Sequence, residues 1–346
     1  MLRFACDYQE GAIPEIIERL TATNLESTPG YGKDDYCEEA RRLIREACAA
    51  PDAAVHFFVG GTQTNSIVIH ALLEEYQGVI SPASGHITGH EAGAVESKGH
   101  KVLVVPQKDG KISGESVRAC MRAYLADDSR EHAVEPGLVY ISHPTEHGTL
   151  YTKAELESIR EACDEYGLPL FLDGARLGYG LAAEGTDVTL ADIAALTDVF
   201  YIGGTKCGAL FGEAVVIRDP KRLPRFFTTM KQNGAVLAKG RLLGLQFATL
   251  MENGTYERVC AHGVRLAQKL KLALIETGHT LFIDTPTNQI FVYLSAEEEK
   301  TLSKDFSFAV WHRDANGRAL CRFVTSWATT EEAIDTLIAA LKKGCC

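Results

Sequence analysis

The chain has 346 residues, 46% of them hydrophobic and 23% charged, with a formal net charge of −11. That balance predicts a globular protein with enough chain for one large and one small core, and it contains no apolar run of membrane-spanning length. The acidic excess argues against nucleic acid and anionic membrane as partners, because both demand basic patches; small molecules are the expected ligands.

The N-terminus, MLRFACDYQEG, lacks the apolar stretch of a secretory signal, so a cytoplasmic location is expected. The ten cysteines are scattered without a CxxC pair and are expected as reduced thiols, with no role assigned to the adjacent Cys345 and Cys346. Apolar runs then recur along the chain as AVHFFVG (54–60), GVISP (78–82), KVLVVP (101–106), GLVYIS (137–142), LPLFLDG (168–174), DVFYIGG (198–204) and EAVVIRD (213–219). Helical patterns separate them, among them TKAELESIREACDEYG, where Leu156, Ile159 and Cys163 share a face and Thr152 with Glu155 fits a capping box. Continuous apolar strands alternating with helices predict an α/β fold: a large domain with a mostly parallel seven-stranded sheet sandwiched by helices. After about residue 240 a long helical region leads to NQIFVYL, SFAVWHR, CRFVTSW and a closing helix, TEEAIDTLIAALKK. This pattern predicts a smaller α+β domain packed with the N-terminal residues, dividing the chain into 1–245 and 246–346.

In open α/β sheets, functional groups gather at the carboxyl ends of the strands. Asp173 in LFLDGARLG and Lys206 in VFYIGGTKCGALFG both stand just beyond apolar runs. A carboxylate to protonate a pyridine nitrogen and an amine to form a Schiff base are the two anchors that pyridoxal phosphate needs. Gly60-Gly61-Thr62 follows the first run and opens a helical pattern, as either a capped turn or a phosphate cradle. His86, a few residues past GVISP, can stack on a flat ring or shuttle protons. His90, His100 and Glu91 nearby do not match a zinc spacing, and no metal is expected. Arg176 suits either a salt bridge within its loop or a bound carboxylate, and Thr205 adds a hydroxyl next to Lys206.

Taken together, GGTQTN, SGHI followed by EAGA, LDGARL, GGTKCGALFG and CRFVTSW make the chain resemble the threonine aldolase and β-eliminating lyase family over nearly its whole length. The resemblance implies the aspartate aminotransferase-type fold and pyridoxal 5'-phosphate as cofactor. It implies that Lys206 carries the cofactor, that Asp173 pairs with the pyridinium nitrogen and that His86 stacks on the ring. Gly61, Thr62 and Thr205 become phosphate contacts, and Arg176 and Arg322 the holders of the substrate carboxylate. It further implies that Tyr31, in GYGKDDYCEEA, and Lys239, in MKQNGAVLAKGR, reach a neighbouring subunit's site, so that a homodimer or homotetramer is expected. Two positions depart from the family: Cys6 replaces a substrate-binding serine beside Asp7, and SHPTEHGT carries Glu146 and His147 where such aldolases carry a histidine.

The activity so implied is retro-aldol cleavage of β-hydroxy-α-amino acids to glycine and an aldehyde, with His86, Glu146, His147 or a water as the base. β-Elimination to a 2-oxo acid and ammonia, transamination, and binding without catalysis are the alternatives on this scaffold.

Overall fold

All seven apolar runs form strands, and the alternation of side chains along them decides which face each residue serves. The computed structural model describes residues 1–344; Cys345 and Cys346 lie outside the described residues. After a short β1 (Leu2–Arg3) come β2 (Ala54–Phe58), β3 (Gln77–Pro82), β4 (Val102–Val105), β5 (Glu135–Ser142), β6 (Leu170–Asp173), β7 (Val199–Gly203) and β8 (Glu213–Ile217). The last seven make one sheet in the order β2-β8-β7-β6-β5-β3-β4. Its ladders are parallel except at β8, which runs antiparallel to both β2 and β7. The first residue of β8 therefore stands at the edge where its neighbours end.

One face of the sheet carries the register pairs Tyr140 with Phe171, Phe171 with Val199 and Tyr201 with Val215. It packs on Ile67, Val68 and Ile69 of the helix Gly61–Leu72. The other face, with Val139, Ile141, Leu172 and Ile202, is covered by Leu156, Ile159 and Cys163 of the helix Lys153–Tyr166 and by Leu243 and Phe247 of the helix Arg241–Met251. The predicted capping box forms: Thr152 Oγ1 accepts the Glu155 N–H at 3.2 Å and the Glu155 carboxylate accepts the Thr152 N–H at 2.8 Å.

The long helical region after residue 240 is two helices, broken where Asn253 (φ 54°) and Gly254 (φ 68°) turn left-handed. Residue 245 thus falls inside the helix Arg241–Met251, whose buried side chains belong to the large sheet's core. The next helix, Thr255–Glu276, starts in that core with Tyr256 and Val259 and ends in a second one with Leu270 and Leu274. The second core lies under β9 (Gln289–Leu294), β11 (Ala309–Arg313) and β12 (Ala319–Val324), an antiparallel sheet in the order β11-β12-β9. Between β9 and β11, β10 (Phe306–Ser307) pairs in parallel with β1, and Phe4 joins the second core. The eight described cysteines are free.

Where β6 and β7 leave the sheet their chains nearly touch: a Cβ on Gly174 would lie 1.8 Å from the Tyr201 carbonyl oxygen, and one on Gly203 2.4 Å from that of Ala175. This close crossing sets the spacing of Asp173 and Lys206. Gly174→Ala should lower the unfolding free energy by about 3 kcal/mol or more, against about 1 kcal/mol for loss of the helix cap in Thr152→Ala. Urea titrations compare the two, and equal midpoints would show that the crossing tolerates a side chain.

Candidate active site

Asp173 ends β6 and is 4% exposed. Because Tyr140 on β5 and Tyr201 on β7 share its face of the sheet, both hydroxyls reach it: Tyr140 donates to Oδ2 at 2.7 Å and Tyr201 to Oδ1 at 2.5 Å. The helix packed on that face adds Asn65 Nδ2 to Oδ2 at 2.9 Å, and the Ala175 N–H donates to Oδ1 at 3.0 Å. Burial by itself raises such a carboxyl, but the His86 charge, Tyr201, the Ala175 N–H and Tyr140 outweigh it and hold Asp173 below the usual carboxylate range.

The His86 ring pairs through Nδ1 with Glu91 Oε1 at 2.8 Å, and the same oxygen accepts Asn65 Nδ2 at 2.7 Å, tying His86 to Asp173 through one buried chain of hydrogen bonds. Glu146 Oε1 accepts the Ser142 hydroxyl at 2.6 Å and the His86 backbone N–H at 2.8 Å, whereas its Oε2 is buried without a partner. Burial drives the Glu146 carboxyl up, Ser142 and His86 oppose this, and the nearby Asp173 charge reinforces it. His147 does not border the same cavity. Its ring meets Phe282, Phe291 and Trp311 with centroids 5.6, 6.2 and 5.9 Å away, outside the cavity that Glu146 and His86 border.

A cavity of about 260 Å³ brings His86, Glu146, Asp173, Arg176 and Lys206 together with the Gly60–Thr62 turn and Thr205. A larger surface groove of about 710 Å³ beside Arg265, Lys269 and Asp335 contains none of these groups. Burial and the Arg176 guanidinium lower the Lys206 amine, with Asp7, Asp173 and Glu213 opposing, so a nucleophilic free amine is more accessible than on a surface lysine. At the Gly60–Thr62 turn, the helix Gly61–Leu72 begins and its first backbone donors lie open at the cavity.

Arg176 forms a salt bridge, not within its own loop but to Asp7 of the N-terminal segment. Its Nε and Nη2 donate to Asp7 Oδ2 and Oδ1 at 2.7 and 2.9 Å, and Asn288 Nδ2 completes Asp7 at 2.9 Å. The remaining nitrogen, Nη1, is available for a second carboxylate. Arg322, on β12, lies behind this pair, donating to Gln289 Oε1 and to the Ala5 carbonyl at 3.1 Å each. Burial and Arg176 push Arg322 down to about 10, and no carboxylate compensates it directly. Neither Arg322 nor Cys6 borders the cavity; Tyr8 does, with its ring centroid 6.0 Å from Lys206 Nζ.

Tyr31 and Lys239 also lie outside the cavity, on two loops joined by the Tyr31 N–H donating to the Ala238 carbonyl at 3.0 Å. Both side chains are exposed. Among the described residues no cluster of His, Cys, Asp and Glu could hold a metal, and no helix is long and apolar enough to cross a membrane.

The family model of β-eliminating lyases matches residues 4–297. The chain belongs to that family. It is 30% identical over 344 residues to a low-specificity L-threonine aldolase of a Pseudomonas species, covering 98% of this chain and 97% of that one. A solved structure of Leishmania major threonine aldolase superposes with a TM-score of 0.97 at 42% identity, each chain covered completely. Thermus thermophilus aspartate aminotransferase, at 14% identity, TM-score 0.72 and coverage of 99% and 91%, shares the fold.

Asn65, Glu91, Tyr140, Tyr201 and Glu213 were not identified from the sequence as site residues. Only alternation within GLVYIS and DVFYIGG hints that Tyr140 and Tyr201 share a face, and the strand order needed to place them beside Asp173 is a long-range property. Asp7 and Asp173 are held low in the folded state, so each adds stability that is complete above about pH 4 and lost as pH falls through the folded value. Asp7→Asn should therefore reduce the loss of stability below about pH 4, while Arg176→Met, which strands the buried Asp7 charge, should cost about 3–5 kcal/mol at neutral pH. Denaturant titrations over that range test both, and an Arg176→Met protein as stable as the parent would contradict the coupling.

Proposed function

We propose that the chain is a pyridoxal-phosphate-dependent aldehyde-lyase that cleaves β-hydroxy-α-amino acids of the L-threonine and L-allo-threonine type to glycine and an aldehyde. The observation that carries this reading is one buried cavity holding an ionised Asp173, the Lys206 amine and a Glu146 carboxyl with a free oxygen, in a chain similar to threonine aldolases from end to end. The residues present fit the cofactor: an anion for a ring nitrogen, an imidazole for a ring face, an amine for a carbonyl, and a glycine turn at a helix start for a phosphate. When bound, the cofactor supplies an electron sink for a bond breaking at the substrate's alpha carbon.

Lys206 would hold the cofactor through its amine, Asp173 would keep a proton on the ring nitrogen, the Gly61 and Thr62 backbone N–H groups would take the phosphate, and the His86 ring, paired with Glu91, would pack against the ring. Arg176, through Nη1, and Arg322 behind it provide the positive field for the substrate carboxylate. Glu146 Oε2 then takes the β-hydroxyl proton as the Cα–Cβ bond breaks; its raised pKa brings a carboxylate base nearer to working pH, and Ser142 and the His86 N–H fix its other oxygen. The aldehyde leaves, and the proton that Glu146 has taken balances the one the alpha carbon gains as glycine forms.

Tyr31 and Lys239 are exposed on adjoining loops away from their own cavity, in keeping with a homodimer or homotetramer in which each subunit completes its neighbour's site.

Incubation with L-threonine, L-allo-threonine and phenylserine should release glycine and the matching aldehyde, while serine and cysteine should yield little pyruvate. Pyruvate and ammonia without glycine would instead assign β-elimination. Glu146→Gln should lower kcat by about 10²–10⁴-fold with cofactor still bound. Borohydride should fix the cofactor to Lys206, and an undiminished adduct in Lys206→Ala would place it on another lysine.

A further inference from the structure

Glu213 is the first residue of β8, and the antiparallel course of that strand brings it to the catalytic edge of the sheet. It pairs with Phe58 of β2 on one side and Gly203 of β7 on the other, so it stands between the Gly60–Thr62 turn and the Thr205–Lys206 turn. The residue is 3% exposed and borders the cavity. Its Oε1 accepts the Thr205 hydroxyl at 2.9 Å, and its Oε2 is buried with no partner. Thr205 Oγ1 also accepts the Gly212 N–H at 2.9 Å. The Thr205 side chain thus links Glu213 to the Gly212 backbone at the edge of the cavity.

We propose that Glu213 acts as a neutral carboxylic acid whose Oε2–H donates a hydrogen bond to the phosphate received by the Gly60–Thr62 turn. This rests on reading the cavity as a pyridoxal-phosphate site. An acid at this position explains both oxygens: Oε1 is the carbonyl that accepts from Thr205, and Oε2 is the donor that lacks an acceptor until an anion arrives.

Burial raises Glu213 to about 8, with Lys206 and the Thr205 hydroxyl opposing and the Asp173 anion adding to the rise. The charged groups that face it are Lys206, after β7, and Asp173, at the end of β6; Tyr201 of β7 adds a hydroxyl, and the Gly60–Thr62 turn brings no titratable side chain. A phosphate in the cradle is a further negative neighbour and favours the protonated form more strongly.

The test is equilibrium binding to the apo form of the full chain, followed by intrinsic fluorescence, with pyridoxal 5'-phosphate and with pyridoxal as a phosphate-free probe. Glu213→Gln keeps an acceptor at Oε1 and offers an N–H at the Oε2 position, so at pH 7 it should bind pyridoxal 5'-phosphate within about threefold of the parent, whereas Glu213→Leu should bind it about 10–100-fold more weakly. Pyridoxal should bind all three proteins alike. Between about pH 7 and 9 the parent should lose affinity for the phosphorylated probe relative to Glu213→Gln, because only the parent's donor can lose its proton. A Gln variant as weak as Leu, or parallel pH profiles for parent and Gln, would overturn the proposal. Equal losses for the two probes would assign Glu213 to Lys206 rather than to the phosphate. Should Glu213→Leu fail to fold, the parent and Gln profiles decide the matter. A parent that binds neither probe would overturn the cofactor reading itself, an outcome distinct from all of these.

Discussion

The site depends on keeping a carboxylate ionised where it is almost closed off from water. Desolvation of a charge costs several kcal/mol, and a carboxyl in an apolar wall normally takes up a proton instead. Asp173 is spared by donors from β5, β7, the helix Gly61–Leu72 and its own turn. Two of those donors come from flanking strands of the sheet, so the order β7-β6-β5 is itself a requirement of the chemistry. A one-residue slip of either ladder would turn its tyrosine to the opposite face and leave the carboxylate short of a donor.

The same principle separates the four carboxyls of the site. Asp7 and Asp173 are buried, yet each meets enough donors and positive charge to stay below the ordinary range. Glu146 and Glu213 are comparably enclosed, but each has one partnered oxygen and one bare one, and both are pushed up. Burial is common to all four; the donors and positive charges around each decide which are held low and which are pushed up. One cavity thereby gathers Asp173, held low, with Glu146 and Glu213, both pushed up, the first beside Ser142 and His86 and the second beside Thr205. Lys206, lowered by burial and Arg176, stands among them.

Much of this was legible in the sequence, for identifiable reasons. The strands were legible because a strand covered on both faces has few polar residues, and the Thr152 cap because its signal spans only four positions. Asp173, His86, Lys206 and the Gly61–Thr62 turn stand out because each follows an apolar run and sits in a distinctive motif. What could not be read is pairing across distance. The Tyr140 and Tyr201 contacts require the strand order, and the position of Glu213 requires knowing that β8 is reversed. For Arg176 the sequence offers a bridge within its own loop or a bound carboxylate; the partner it meets, Asp7, lies 169 residues away in sequence and leaves Nη1 for a carboxylate. His147 looked equivalent to Glu146 because the two are adjacent, yet the turn sends one side chain to the cavity and the other into an aromatic cluster. The helix break at Asn253 and Gly254 was hidden by apolar periodicity on both sides.

The most direct test is the protonation state of the group opposite Asp173. With cofactor labelled at the ring nitrogen with nitrogen-15, the NMR shift should report a protonated nitrogen in the parent throughout roughly pH 6 to 9 and a neutral one in Asp173→Asn. A neutral ring nitrogen in the parent would contradict the central claim that this network exists to hold Asp173 as an anion.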